Sequence, residues 1–168
     1  METQTALAIS VLLITCVMGV YVLAKSFYTY NILGQNLQAS ADNALAKIIK
    51  DGPEPDGTFR LSEAVSFTQP SLSELHFTGT DGIERWITLS GDGQSIIYHR
   101  PGSGGVMEDD VLYTAPSGAI LTLRFWTPAG TNYTGVNICI AVAVVQNIQG
   151  KSISGSASTM VNIRNHPT

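Results

Sequence analysis

The histidines are the first residues in this chain that could bind a metal ion or move a proton. There are three of them, His76, His99 and His166. None lies in a motif with the spacing of zinc ligands, and His76 and His99 fall in separate predicted strands. We therefore predict structural or surface histidines and no metal site.

Two further polar segments lack the pattern that their chemistry would require. The acidic run 108–110 (Glu-Asp-Asp) does not alternate its oxygen ligands as a calcium-binding loop does, so we predict a solvated acidic turn. The glycine-rich segment 102–105 neither leads from a strand into a helix nor precedes a lysine, so we predict a flexible loop and not a phosphate-binding loop. No serine lies in a Gly-x-Ser-x-Gly motif. The sequence thus predicts no catalytic residues, no cofactor and no enzymatic activity.

Composition limits the partners of the chain. The net charge is −4 and the nine Lys and Arg residues are scattered, so we expect no binding to nucleic acid. The two cysteines, Cys16 and Cys139, lie in an apolar run and in a predicted strand, and we expect both to be buried free thiols. Asn132 begins an Asn-Tyr-Thr acceptor pattern and is a candidate for glycosylation.

The largest predicted element is one long N-terminal helix. Residues 6–24 carry no charge and Lys25 ends the run. At about 1.5 Å per residue, this run spans close to the ~30 Å of a bilayer's hydrocarbon core. The chain then continues without a turn signal into an amphipathic stripe, until the Asp-Gly-Pro sequence at 51–53 stops it. The stripe consists of Leu33, Leu37, Ala41, Ala44, Leu45, Ile48 and Ile49.

The N-terminus does not have the features of a secretory signal peptide. Residues 1–5 contain no Lys or Arg, the apolar run is too long, and residues 25–28 form a poor cleavage site. Lys25 alone would place the remainder of the chain in the cytoplasm by the positive-inside rule. A short basic leader, already removed, would supply the missing upstream charge. We therefore expect Met1 to be the first residue of a processed chain.

The remainder of the chain is predicted to be β-rich. Asp-Gly turns at 81–82 and 92–93 separate three alternating runs and predict a three-stranded meander. The run at 136–145 is the most apolar, so we expect a central strand that is buried on both faces. Segment 59–67 is either a first strand or an irregular connector. The predicted strands are 74–78, 84–89, 95–99, 111–114, 119–126, 136–145 and 158–164.

These elements predict an α+β fold. A long N-terminal helix with an apolar first half would carry a C-terminal antiparallel sheet packed on its amphipathic second half. We divide the chain into the helix at 1–52 and a β-rich globular domain at 53–168. Within the helix, 1–25 is the membrane or filament-core half and 26–52 is the amphipathic half.

This layout resembles that of the type IV pilins and secretion pseudopilins. The resemblance rests on the apolar run, on its continuation at 36–45 (NLQASADNAL) and on the closing stretch at 158–165 (STMVNIRN). It implies a basic leader removed by a dedicated peptidase, a partner assembly machinery, and a filament with the apolar run at its core. The core residues would be Leu7, Ile9, Val11, Leu12, Leu13, Ile14, Val17, Val20, Val22 and Leu23.

The N-terminal residues depart from the family pattern. Family members carry Glu at the fifth position, where it neutralises the N-terminal amine of a neighbour, whereas this chain has Thr5. With Met1 in first place, Glu2 is the only nearby acid. It either serves the same purpose from a shifted position or lies at the water interface. The family's usual proline in the membrane half is missing, which leaves Gly19 as the weak point of the helix.

The sequence therefore favours a structural subunit of a type IV pilus-like extracellular filament. Its precursor would be held in the cytoplasmic membrane and would assemble with copies of itself at the cell surface. Adhesion, motility, secretion or uptake would depend on other parts of the machine. One alternative is a single-pass membrane-anchored extracytoplasmic binding module, with Trp86 and Trp126 lining its site. Another is a minor pseudopilin of a secretion or uptake machine.

Overall fold

A computed structural model of the chain describes residues 2–49, 60–102, 106–127 and 137–163. Within these residues one helix, α1 (Glu2–Ile49), precedes a 3₁₀ turn (Leu61–Glu63) and eight strands. The helix is uninterrupted because its 48 residues contain no proline and glycine only at positions 19 and 34. The strands are β1 (Ser66–Ser71), β2 (Glu74–Thr78), β3 (Glu84–Leu89), β4 (Ser95–Pro101), β5 (Met107–Thr114), β6 (Ala119–Trp126), β7 (Asn137–Ile148) and β8 (Lys151–Asn162).

The strands form two antiparallel sheets. A five-stranded meander has the order β1-β2-β3-β4-β5, and a three-stranded sheet has the order β6-β7-β8. Within the described residues, two backbone hydrogen bonds join the sheets: the amide of Leu121 donates to the carbonyl of Gly93, and the amide of Phe125 donates to the carbonyl of Leu72. Strand β6 is therefore held by the β1–β2 and β3–β4 turns. The predicted α+β fold, with the helix packed against antiparallel sheet, is confirmed.

Strand boundaries agree with the sequence where turn residues mark them. β2, β3 and β6 begin and end as predicted. The acidic run 108–110 is not a solvated turn but part of β5, because its side chains pair with residues of β4 across the ladder. The segment 59–67 contains the 3₁₀ turn and the start of β1, and the last strand begins at Lys151 instead of residue 158.

Strand β7 is central, as predicted, but only one of its faces is fully buried. Ile138, Ile140, Val142 and Val144 are inaccessible, whereas the alternate positions from Ala141 onward are partly accessible. The accessible face belongs to the side of the three-stranded sheet that also exposes Thr122 and Arg124 of β6. The expected burial on both faces is therefore wrong for this half of the strand.

The core lies where the helix and the two sheets meet. Five helix residues enter it at helical spacing, and the inward faces of both sheets supply the rest. Tyr98 and Phe77 stack in the five-stranded sheet with ring centroids 6.2 Å apart. The predicted alternation of β6 is confirmed. Its buried residues are Ala119, Leu121, Leu123 and Phe125.

Candidate functional site: the N-terminal helix and its docking on the sheets

The apolar half of α1 projects away from the rest of the chain. All ten residues that the sequence places at a filament core are between 56% and 70% exposed. By length and composition, α1 is able to cross a membrane, and its most apolar window has no buried residue. Cys16 lies on this half and is exposed in the single chain, so the expected burial of this thiol is wrong, while Cys139 is buried. Neither cysteine is bonded to the other.

Two hydroxyl groups in the apolar half, those of Ser10 and Thr15, bond to the helix itself. Ser10 donates to the carbonyl of Ala6 at 2.9 Å, and Thr15 donates to that of Val11 at 2.8 Å. These two hydroxyl groups donate within the helix and do not need water, which suits a surface that meets either lipid or another helix.

The amphipathic half of α1 forms part of the core. Leu37, Ala41, Ala44, Leu45 and Ile48 are buried, and Leu33 and Ile49 pack against them. Their spacing puts them on one face of the helix, which packs mainly on β8 and also on β7. The predicted stripe is therefore confirmed, and it joins the exposed half to the sheets through one rigid element.

Helix α1 comes very close to the sheet at Gly155 in β8. A Cβ atom there would overlap the backbone of Leu37 and Gln38. Gln38 then bonds the neighbouring residue twice: its Oε1 accepts from the amide of Ser156 at 3.1 Å, and its Nε2 donates to the carbonyl of Ser156 at 2.9 Å. The side chain of Gln38 thus occupies one position on the edge of β8, as the backbone of a further strand would.

A second contact lies where the exposed half of the helix begins. The β7–β8 turn, with Gln149 and Gly150 at positive φ, reaches α1 near Tyr30. The Tyr30 hydroxyl is 3.5 Å from Gln149 Oε1, and the ammonium of Lys151 lies 5.1 Å from the centroid of the tyrosine ring. Sequence reasoning missed Gln38, Gly155 and this turn, because nothing local indicates which strand a helix will meet.

On the five-stranded sheet, one row of side chains crosses all the strands. We call it the imidazole–indole row: Thr68, His76, Trp86, His99 and Asp109, each opposite the next in register. The rings of His76 and His99 stack on Trp86 with centroids 5.3 and 5.2 Å away. The structure thus brings two of the three histidines to either side of one indole.

Carboxylates surround the imidazole–indole row. The nitrogens of His76 lie 2.7 Å from Glu74 and 3.1 Å from Glu84. Partial burial lowers the pKa of His76, but hydrogen bonds and charge from these two glutamates outweigh it and raise this pKa above its ordinary value. His99 lies 2.6 Å from Asp109 and 2.8 Å from the hydroxyl of Thr88. Among the described residues, no three His, Cys, Asp or Glu side chains form a group that could hold a metal ion.

Two arginines of the five-stranded sheet form ion pairs with nearby carboxylates. Arg85 is 6% exposed, and Asp81 holds its guanidinium through two hydrogen bonds of 3.0 and 2.6 Å. The bond from Arg85, helped by a backbone amide, lowers the pKa of Asp81 despite its partial desolvation. Arg100 bonds Asp110 at 2.7 Å and lies 3.4 Å from Glu108. The acidic run in β5 is therefore paired within the sheet and is not arranged around a cation.

Several predicted sites lie outside the described residues. Met1, Asn132 and His166 belong to such segments, as do the Asp-Gly-Pro stop at 51–53 and most of the glycine-rich loop. Glu2 begins α1, but only its backbone is described. Its pairing with a neighbour's amine therefore stays a prediction.

A comparison of the chain with protein-family models, with curated proteins and with solved structures finds no match.

Proposed function

We propose that this chain is a structural subunit of a pilus-like filament. In this proposal the apolar half of α1 holds the precursor in the cytoplasmic membrane, and the sheets lie outside the cell. The subunit then joins copies of itself, with the same apolar halves forming the filament core. It performs no chemistry, and its function is mechanical.

The observation that carries the proposal is the division of one continuous helix into an exposed half and a docked half. A tethered binding module usually hangs on a flexible polar linker, which leaves its orientation free. Here Lys25 and the residues after it are helical without a break as far as Ile49. The orientation of the sheets is therefore fixed relative to the apolar half. Such rigidity is useful when identical helices must pack in a regular array.

The energetics of assembly set a second requirement. When the apolar half leaves lipid for a bundle of helices, it exchanges one apolar surrounding for another, so burial alone stabilises the contact little. Close packing and a charge pair must then specify the position of each subunit. Glu2 is the carboxylate that would meet the N-terminal amine of a neighbour, in place of the acid that Thr5 does not provide.

The alternative of a membrane-anchored binding module receives less support from the aromatic residues. Trp86 would serve as a platform for a ligand only if one face of its indole were free. His76 and His99 stack on its two sides, and Trp126 is partly buried at the end of β6. A minor subunit of a secretion machine would use α1 in the same way as the filament subunit proposed here.

The test is to shear filaments from producing cells and to sequence the N-terminal peptide by mass spectrometry. We expect to find this chain in the sheared fraction. Its N-terminal peptide should begin at Met1 with a methylated amine and should lack the leader that would be encoded upstream of Met1. A chain found only in membranes, or with Met1 as a plain initiator, would support the anchored module instead.

A charged substitution separates assembly from folding in the same cells. Val17 is 66% exposed, and Val17→Asp would place a carboxylate in lipid or in the filament core at a cost of about 3 kcal/mol. We expect Val17→Asp to remove the chain from sheared filaments, while Val17→Leu leaves it there. Thr122→Asp, on the exposed face of β6, is the matched control for an added charge.

A further inference from the structure

The turn between β7 and β8 and residues 25–30 of α1 line a small open cleft with both polar and apolar surface. Its volume is about 170 Å³, several times the share of one water molecule, which is about 30 Å³ in the liquid. Helix residues Lys25, Ser26, Thr29 and Tyr30 form one wall, and the turn forms the other with Ile148 and Gln149. Lys151 reaches the same tyrosine from the turn side.

The electrostatics of this cleft differ from those of the whole chain, whose net charge is −4. Strands β7 and β8 contain no Asp or Glu, and α1 contains none between Thr3 and Ala41. Lys25 and Lys151 are both exposed, and neither forms an ion pair within the described part of the chain. Lys25 lines the cleft and Lys151 lies beside it, while the carboxylates of α1, Glu2 and Asp42, are far from Lys25 along the helix, which favours an anion at the cleft.

The cleft also offers neutral hydrogen-bond donors. At 3.5 Å the contact between the Tyr30 hydroxyl and Gln149 is longer than a good O–H···O bond, so the phenol remains able to donate elsewhere. The side-chain amide of Gln149 carries two more N–H groups at an exposed position. Ammonium, hydroxyl and amide donors around a small cleft suit the oxygens of a phosphate group.

The position of the cleft indicates where such a phosphate would come from. Lys25 follows the apolar run directly, and Tyr30 lies five residues further, about 8 Å along the helix axis. The polar headgroup layer on each side of the hydrocarbon core is about 5–8 Å thick. If the apolar run spans the bilayer, both lysines lie at the depth of the lipid phosphates, and Tyr30 lies where interfacial tyrosines concentrate.

We propose that this cleft binds the phosphate headgroup of an anionic phospholipid while the subunit is held in the membrane. The inference rests on the membrane step of the proposed function and adds the ligand class and its residues. Lys25 and Lys151 supply the charge, and Tyr30 and Gln149 supply hydrogen bonds. The bound headgroup seats the β7–β8 turn on the membrane surface, and it is released when the helix leaves lipid during assembly.

The test uses the full chain in lipid nanodiscs, with NMR detection of the backbone amides of Gln149, Gly150 and Lys151. Discs of phosphatidylcholine are compared with discs of rising phosphatidylglycerol content, and inorganic phosphate is added to the former as a separate arm. We expect the amide shifts to saturate with phosphatidylglycerol. The half-saturation point should rise about fivefold for Lys25→Gln or Lys151→Gln, because each lysine near an anionic surface contributes about one fivefold step in binding.

Control variants separate the loss of charge at the cleft from a loss of charge elsewhere on the chain. Arg124→Gln removes the same charge from the exposed face of β6 and should leave the half-saturation point unchanged. Lys25→Arg and Lys151→Arg should retain binding, and the amide shifts of each variant in phosphatidylcholine discs show whether the substitution has disturbed the turn itself. An equal response to inorganic phosphate, or no lipid-dependent shift in a chain that inserts normally, overturns this site alone. A chain that stays outside the discs overturns the membrane step and the site together.

Discussion

Gly155 of β8 lies so close to Gln38 of α1 that there is no room for a Cβ atom between them. The contact occurs at the middle of the docked half, beside the buried Leu37. Gln38 fixes the register of this contact by bonding both backbone groups of Ser156. One glycine and one glutamine thereby determine how far along the helix the last strand docks.

Gly155→Ala should weaken the docking of α1. The added methyl group meets helix backbone, which cannot rotate away as a side chain could, so we expect a loss of about 1–3 kcal/mol in the free energy of unfolding. Chemical denaturation of the full chain in detergent, followed by tryptophan fluorescence, measures it.

Gly34→Ala is the matched control for this prediction. A Cβ at Gly34 would only touch the Ile153 side chain, at 3.9 Å, and alanine favours a helix interior by about 1 kcal/mol over glycine. The control should therefore be neutral or stabilising. If both variants lose stability equally, the close approach at Gly155 is not what makes its substitution costly.

The raised pKa of His76 predicts a pH dependence of stability. Because the folded-state pKa lies above the ordinary value of about 6.5, this residue stabilises the fold fully below that pH. The contribution is lost as pH rises through the folded-state pKa. It should be on the order of 0.5 kcal/mol, since Glu84 is largely exposed. Glu74 and Glu84 are the charged groups in contact with His76, and Trp86 stacks on it.

His76→Phe is the variant that tests this dependence. It keeps an aromatic ring against Trp86 but removes the titrating nitrogens, so its stability should fall less between pH 6 and pH 8 than that of the wild type. Glu84→Gln should give an intermediate slope, because one of the two carboxylates remains. An unchanged slope in His76→Phe would show that other groups determine stability in this range.

The Asp81–Arg85 pair predicts a dependence of the opposite sign. The pKa of Asp81 is lowered, so its contribution is present above its ordinary value of about 3.9 and is lost as pH falls through the folded-state pKa. Asp81→Asn removes the carboxylate from a buried guanidinium and should cost about 1–2 kcal/mol at pH 7, given that Asp81 itself is partly exposed.

Denaturation at pH 7 and at pH 3 distinguishes this pair from general acid effects. The difference in stability between Asp81→Asn and the wild type should shrink at pH 3. Asp42→Asn, at an exposed position of α1, serves as the control for the loss of one aspartate. A constant difference at both pH values would exclude the ion pair as its cause.

The local pattern of apolar and polar residues predicted the helix and the strands of this fold better than it predicted the contacts between them. The stripe from Leu33 to Ile49 and the alternation of β6 follow from the periods of helix and strand, and the structure confirms both. The place of the acidic run in β5 could not be predicted from local sequence, since it depends on β4, where His99 lies opposite Asp109 and Arg100 pairs with both Glu108 and Asp110. The start of β8 at Lys151 was likewise not predicted from the sequence. Small polar residues such as Ser152 and Ser154 are typical of a loop, and only their pairing with β7 shows that they belong to a strand.

The candidate site also has one part that local sequence predicts and one part that it does not. Residues 6–24 have a composition that predicts an exposed apolar surface without any knowledge of the fold. The cleft beside Lys25 depends on a turn more than 100 residues away along the chain, as the Tyr30–Gln149 contact shows. Contacts of that separation leave no periodic signal in the sequence.

The exposed half of α1 should be dispensable for folding but not for membrane binding or assembly. The first fully buried residue of the described helix is Leu37, so a chain beginning at Lys25 keeps the whole docked stripe. We expect it to be a soluble monomer in sedimentation velocity, with a stability within about 1 kcal/mol of the full chain in detergent. A chain beginning at Asp42 would lack Leu37 and Ala41 and should lose at least about 2–5 kcal/mol, enough to aggregate. If the chain that begins at Lys25 still polymerises, or binds vesicles of phosphatidylcholine alone, the apolar half is not the element that carries assembly, and the proposed function is wrong.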